Sequence, residues 1–127
     1  MKITDIKLIY AKHYLFIHIY TDEGIVGLGE AGNWGHLMAT AEAIQKFSTY
    51  LIGKDPSRID DIGQNLYRSL YFRGSVIMSA ISAIDIALWT SRERPWAYRS
   101  TSCWAERPGT RCGCTPRPWP RRRIRNP

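Results

Sequence analysis

The first 89 residues contain no cysteine and a single proline, Pro56. That absence rules out a disulfide framework or a thiolate-held metal in this stretch. No apolar run is long enough for a membrane span. The longest, Val76–Trp89, is broken by Ser79, Ser82 and Asp85 and falls short of the ~20 residues required. The opening Met-Lys-Ile-Thr-Asp lacks the basic, apolar and small-residue zones of an export leader, so a cytoplasmic location is expected. A strong charge imbalance is missing too. Residues 1–89 hold 8 Lys+Arg against 9 Asp+Glu, a net of −1, which gives a polyanion no general attraction to this part.

Everything scarce there is abundant afterwards. Residues 90–127 hold 10 Arg against 2 Glu, a net of +8, with six of the seven prolines and all three cysteines, Cys103, Cys112 and Cys114. The chain-wide charge of +7 therefore describes the tail. At 127 residues there is room for one ordinary domain, and the composition places it at 1–89.

Alternation predicts three strands. Ile6, Leu8 and Tyr10 alternate with Asp5, Lys7 and Ile9, and Leu15, Ile17 and Ile19 alternate with Phe16, His18 and Tyr20. Thr21-Asp22-Glu23-Gly24 supplies a tight turn, and Ile25–Glu30 returns as a third strand. Gly27 and Gly29 in that strand mean either close backbone approach or a weak edge. Three helices follow. Leu37, Ala41, Ile44, Phe47 (or Ser48) and Leu51 recur at helical spacing, with Gly53 where a C-terminal cap belongs. Asp55-Pro56 reads as cap and first residue of a second helix, with Ile59, Ile62, Leu66 and Leu70 as its buried stripe. Gly74-Ser75 opens a third helix, apolar nearly all round from Val76 to Trp89. Such a helix needs cover on most sides, and a partner outside these residues is expected to supply it. Sheet followed by helices predicts an α+β fold: a three-stranded antiparallel meander and a bundle of about three helices.

Three stretches carry a family resemblance: Tyr20-Thr21-Asp22-Glu23-Gly24-Ile25-Val26-Gly27-Leu28-Gly29-Glu30; Leu51-Ile52-Gly53-Lys54-Asp55-Pro56; and Tyr71-Phe72-Arg73-Gly74 running into Ser79-Ala80-Ile81-Ser82-Ala83-Ile84-Asp85-Ile86-Ala87-Leu88-Trp89. In this order and spacing, residues 1–89 resemble the N-terminal capping domain of the mandelate racemase/muconate lactonizing enzymes of the enolase superfamily. They are most like the galactonate dehydratase branch. The resemblance implies a parent that is a lyase, a sugar-acid dehydratase of carbohydrate-acid catabolism, or a related isomerase. Such enzymes abstract a proton α to a carboxylate, with Mg²⁺ stabilising the enediolate. Their catalytic and metal-binding residues come from a (β/α)₈ barrel, which these residues do not include. No catalytic or metal residue is therefore assigned to this chain, no cofactor is expected to bind it, and it is expected to be inactive alone. The partners implied are the missing barrel and, in the intact enzyme, a sugar acid. The parent is expected to be a homo-oligomer, with neither membrane nor nucleic acid as a partner.

After Trp89 the family continues with a segment like D-I-K-G-K-A-L-G-x-P, whereas here the chain reads Thr90-Ser91-Arg92-Glu93-Arg94-Pro95-Trp96. Loss of one G from a GGG run across the Trp89 codon turns TGG-GAC-ATC into TGG-ACA-TC, which reads Trp-Thr-Ser. With synonymous choices at free third bases, undoing that loss restores Thr90–Thr115 to DIKGKALGVPVYELLGGKARDKVRVY. The tail at 90–127 thus reads as an out-of-frame translation without stable packing, and Cys112 and Cys114 as accidents of frame. The rival reading is a small non-enzymatic binding protein whose basic tail grips nucleic acid by phosphate neutralisation and stacking.

Within the cap, the family's substrate-facing loops fall at Ala11-Lys12-His13 and at Ala31–His36. Asn33 and His36 are candidates to hydrogen-bond polyol hydroxyls, Trp34 to exclude water, and Arg73 to meet a carboxylate. The alternatives stay open: Asn33 and Gly35 shaping the turn, Trp34 packing on the helix, and Arg73 making a helix-end contact. Asp85 inside an apolar helix suggests a hydrogen-bonded scaffold role, and His13 and His18 read as plain strand residues.

Overall fold

The computed structural model describes residues 1–96, and the expectation for the tail beyond Trp96 lies outside them. The chain forms an α+β fold. Strands β1 (Ile3–Ala11), β2 (Tyr14–Thr21) and β3 (Val26–Ala31) are followed by helices α1 (Leu37–Leu51), α2 (Ile59–Arg68) and α3 (Ser75–Trp96). The sheet is an antiparallel meander in the order β1-β2-β3. Its inner face is built from Leu15, Ile17 and Ile19 of β2, all completely buried. A register shift between Ile3 and Asp5 lets odd-numbered Ile3 share that inner face with Ile6 and Leu8.

The turn at 22–24 closes as the residues dictate. Gly24 takes a φ of +76°, and the Thr21 hydroxyl donates to the Ile25 carbonyl at 2.9 Å while accepting from its N–H at 3.1 Å. Gly53, at φ +84°, ends α1. Its N–H donates to the Ile3 carbonyl at 2.8 Å, and the Ile3 N–H donates to the Lys54 carbonyl at 2.9 Å, covering the start of the β1 edge.

The second helix starts later than its sequence suggests. Asp55 closes a turn of its own: Oδ1 accepts from the Ser57 N–H at 2.9 Å and the carbonyl accepts from the Arg58 N–H at 3.2 Å. Helix α2 then begins at Ile59 with Arg58 at the cap position. It ends at Arg68, so Leu70 packs from the following loop.

Helix α3 lies on β3, and the two glycines explain how. A Cβ on Gly27 would stand 2.1 Å from the Ala87 carbonyl oxygen, and one on Gly29 would stand 2.1 Å from that of Ala83. Close backbone approach, rather than a weak edge, is their role. This approach corrects the expectation that the chain could not cover its third helix. Ala80, Ile81, Ala83, Ile84, Ala87 and Leu88 are all buried by the sheet, α1 and α2; among the described side chains of this helix, Met78 and Ile86 are the large apolar ones that stay exposed.

The helix runs seven residues past the change in composition at Trp89, because a helical ladder propagates cheaply once formed. Thr90 and Ser91 take part in the packing. The Thr90 hydroxyl accepts from the Leu28 N–H at 2.8 Å and lies 2.8 Å from the Leu28 carbonyl, closing the outer edge of β3. Ser91 is fully buried, its hydroxyl donating to the Leu88 carbonyl at 2.7 Å.

Candidate functional site

One end of the sheet gathers the candidate residues. The β1–β2 connection has two residues, Lys12 and His13, with Lys12 at a φ of 52° and Ala11 paired with Tyr14. Because Leu15 pairs with Ala31, the register sets this hairpin tip beside the segment that leaves β3. That segment turns tightly: the Asn33 N–H donates to the Ala31 carbonyl at 3.1 Å and the His36 N–H to the Asn33 carbonyl at 3.2 Å, with Gly35 at a φ of +86°.

Each candidate has a distinct setting. The Asn33 side-chain amide points inward and donates to the Thr40 hydroxyl at 3.2 Å, and that hydroxyl donates to the His36 carbonyl at 3.0 Å. Thr40 is fully buried, so this pair pins the loop to α1. His36 stands at the N-terminal cap of α1, but its exposed side chain makes no capping bond, which leaves the imidazole to other partners. Trp34 is 70% exposed. Its ring stacks on His13 at 6.5 Å between centroids and meets Tyr14 edge-on at 6.2 Å. Arg73 is engaged elsewhere. Its guanidinium lies 4.1 Å from the centre of the Tyr67 ring, and its Nε donates to the Tyr67 carbonyl at 3.1 Å, a contact with the end of α2.

The structure therefore sets the Ala31–His36 loop, with Asn33, Trp34 and His36, against the Ala11-Lys12-His13 turn, and brings to Trp34 both His13, whose plain strand reading gives way to a ring contact, and Tyr14, which no sequence motif singles out. The signal lay in the length of the β1–β2 turn, since a two-residue connection fixes which side chains stand at its tip. His18 faces the outer side of the sheet, beside Tyr20 at 6.2 Å.

Asp85 is half-buried on α3. Partial burial and the neighbouring Asp60 carboxylate push its pKa above the usual carboxylate value, and no hydrogen bond to the charged form offsets them. Among the described residues no group of three or more His, Cys, Asp or Glu could hold a metal ion. The described residues do not fit a Mg²⁺ centre. A groove of about 210 Å³ between α1 and α2 is lined by Lys46, Phe47, Tyr50, Asn65, Leu66, Ser69 and Leu70. The Asn65 amide donates to the Asp61 carbonyl and the Ser69 hydroxyl to that of Leu66, so much of its polar rim is already satisfied. Among the described residues no helix is long and apolar enough to cross a membrane.

Residues 4–95 match the family model for the mandelate racemase/muconate lactonizing enzyme N-terminal domain. The chain belongs to this family. Among relatives of this N-terminal domain, a D-galactonate dehydratase from Pectobacterium atrosepticum is 48% identical over 89 residues, covering 69% of this chain and 23% of its own. Another, from Xanthomonas euvesicatoria, is 44% identical over 91 residues, covering 70% of this chain and 24% of its own. The chain thus spans about a quarter of the length of these curated relatives. Solved structures agree on the fold. An enolase from Pantoea ananatis with bound D-gluconate and Mg superposes with a TM-score of 0.70 at 39% identity, over 74% of this chain and 24% of that one. An enolase-superfamily member from Salmonella Typhimurium gives 0.71 at 30% identity, over 75% and 27%.

Proposed function

We propose that this N-terminal domain is the substrate-covering cap of a Mg²⁺-dependent sugar-acid dehydratase, a cytoplasmic lyase of carbohydrate-acid breakdown, or of a closely related racemase. The observation that carries this reading is the match to D-galactonate dehydratases, at 44% identity over 91 residues and 48% over 89. The loop at 31–36 and the hairpin tip, set together at one end of the sheet, are consistent with it. The activity belongs to the parent enzyme, whose barrel supplies the metal, acid and base. The parent is proposed to be a homo-oligomer.

Within the cap, Trp34 presents its exposed ring face to the C–H surface of a polyol chain and keeps water out. His36 offers an imidazole to the hydroxyls. Asn33 fixes the loop through Thr40 and leaves its side-chain oxygen as an acceptor. Arg73 meets the substrate carboxylate on release from Tyr67. From Thr90 onward the chain is proposed to be read in a shifted frame, which accounts for the jump to net +8 in residues 90–127.

The test is to restore one G at the Trp89 codon and assay the product with Mg²⁺ against a panel of aldonic acids. Dehydration or epimerisation of at least one acid is expected. Trp34→Ala and His36→Ala should each lower kcat/KM by roughly tenfold, about 1.4 kcal/mol of lost transition-state binding. A restored protein without turnover, or one indifferent to both variants, overturns the proposal.

A further inference from the structure

With 70% of its surface exposed, Trp34 is not oriented by burial. What surrounds it is a chain of rings anchored in the sheet. Phe16 and Tyr14 stack at 6.3 Å on the outer face of β2, Tyr14 meets the Trp34 ring edge-on at an interplanar angle of 85°, and His13 stacks on Trp34 at 21°. The edge-on contact at 85° and the stacked contact at 21° restrain both the tilt and the rotation of the indole. The hairpin tip holds its own rings in place, because the turn has two residues and Ala11 and Tyr14 are paired across it. On the other side, Asn33 ties the loop to Thr40 of α1.

We infer that His13 and Tyr14 are positioning residues for Trp34, which join the β1–β2 turn and the β3–α1 loop into one preset wall. This rests on the reading of Trp34 as substrate-facing and deepens it. The wall of the proposed site is in place before a ligand arrives, so its shape discriminates among substrates by fit rather than by closing around them. A long β1–β2 loop moves separately from Trp34; the two-residue turn here does not.

The experiment uses the uniformly ¹⁵N-labelled 127-residue chain. Its five indole N–H signals are resolved by NMR, and that of Trp34 is identified by its loss in Trp34→Phe. The wild-type Trp34 indole is expected to show an order parameter of about 0.85, as a rigid group does, falling below about 0.6 in His13→Ala and in Tyr14→Ala. Tyr14→Phe, which keeps the ring, should restore the wild-type value. His13 lies in an exposed turn, so its variant remains informative even where Tyr14→Ala disturbs β2, and unchanged amide shifts at Ile17 and Ile19 report an intact sheet. A wild-type indole below 0.6, or one unaffected by both alanine variants, overturns the inference. No ligand is present in this measurement, so its failure is distinct from failure of the substrate-facing role, which the kcat/KM assay of the restored enzyme reads separately.

Discussion

Placing a single methyl group at residue 29 should break the contact on which the fold is built. In Gly29→Ala the new Cβ would lie 2.1 Å from the Ala83 carbonyl oxygen, where ordinary contact begins at 3.4 Å, an overlap of 1.3 Å by subtraction. The position of the new Cβ is fixed by the backbone and its partner is a backbone carbonyl, so no rotamer change relieves the contact, and α3 must move off β3 by about 1 Å. A gap of that size forfeits about a quarter to a half of each affected dispersion contact. Ile84 and Leu88 are buried to 1% exposure on this helix, and full burial of each contributes about 1.5–3 kcal/mol. Loosening both, together with the about 1–3 kcal/mol typical of overpacking, gives a loss of about 3 kcal/mol. That is a large share of the about 5–15 kcal/mol that stabilises an ordinary domain. Urea unfolding followed by far-ultraviolet circular dichroism measures the loss. Gly32→Ala is the matched control, because a Cβ there meets nothing within 4 Å, and it should stay within about 0.5 kcal/mol of wild type. Equal stability of the two variants would refute the close-approach argument.

Two further perturbations probe α3. Thr90→Val removes the acceptor of the Leu28 N–H at the β3 edge and should cost about 1 kcal/mol, with faster hydrogen exchange at Leu28; unchanged exchange there contradicts the edge contact. Asp85→Asn tests the raised carboxyl pKa. A carboxyl with a folded pKa above its unfolded one contributes most below the unfolded value, and that contribution is lost as pH rises through the folded one. The variant should therefore melt above wild type at pH 7 and close to it at pH 3, whereas an equal gain at both rules out ionisation as the cause.

Much of this architecture is written in local pattern. Alternation in β2 and helical spacing in α1 each follow from a side chain's need to face one core, so they are visible residue by residue. The start of α2 was not, because Asp55 serves a turn as readily as a helix, and only the backbone path beyond Pro56 decides between them. Cover for α3 is hidden from the sequence for a similar reason. Gly27 and Gly29 hold no apolar side chain to count, yet their lack of a Cβ brings the whole sheet against the helix. Asn33, Trp34 and His36 were legible as a loop group through the family motif. The link to His13 and Tyr14 was not, since it depends on cross-strand register. Arg73 was visible only as a charge, and its position on Tyr67 is a tertiary outcome.

Frame is the central question, and the nucleotide sequence of the locus answers it most directly. Shifting frame at the Trp89 codon should open a continuous reading frame of roughly 250 or more further residues, the size of a (β/α)₈ barrel. It should encode D-I-K-G-K-A-L-G directly after the tryptophan, with acidic metal ligands and Lys or His bases at strand ends farther on. A stop codon soon after the shift, or a frame without strand–helix alternation, would contradict the account.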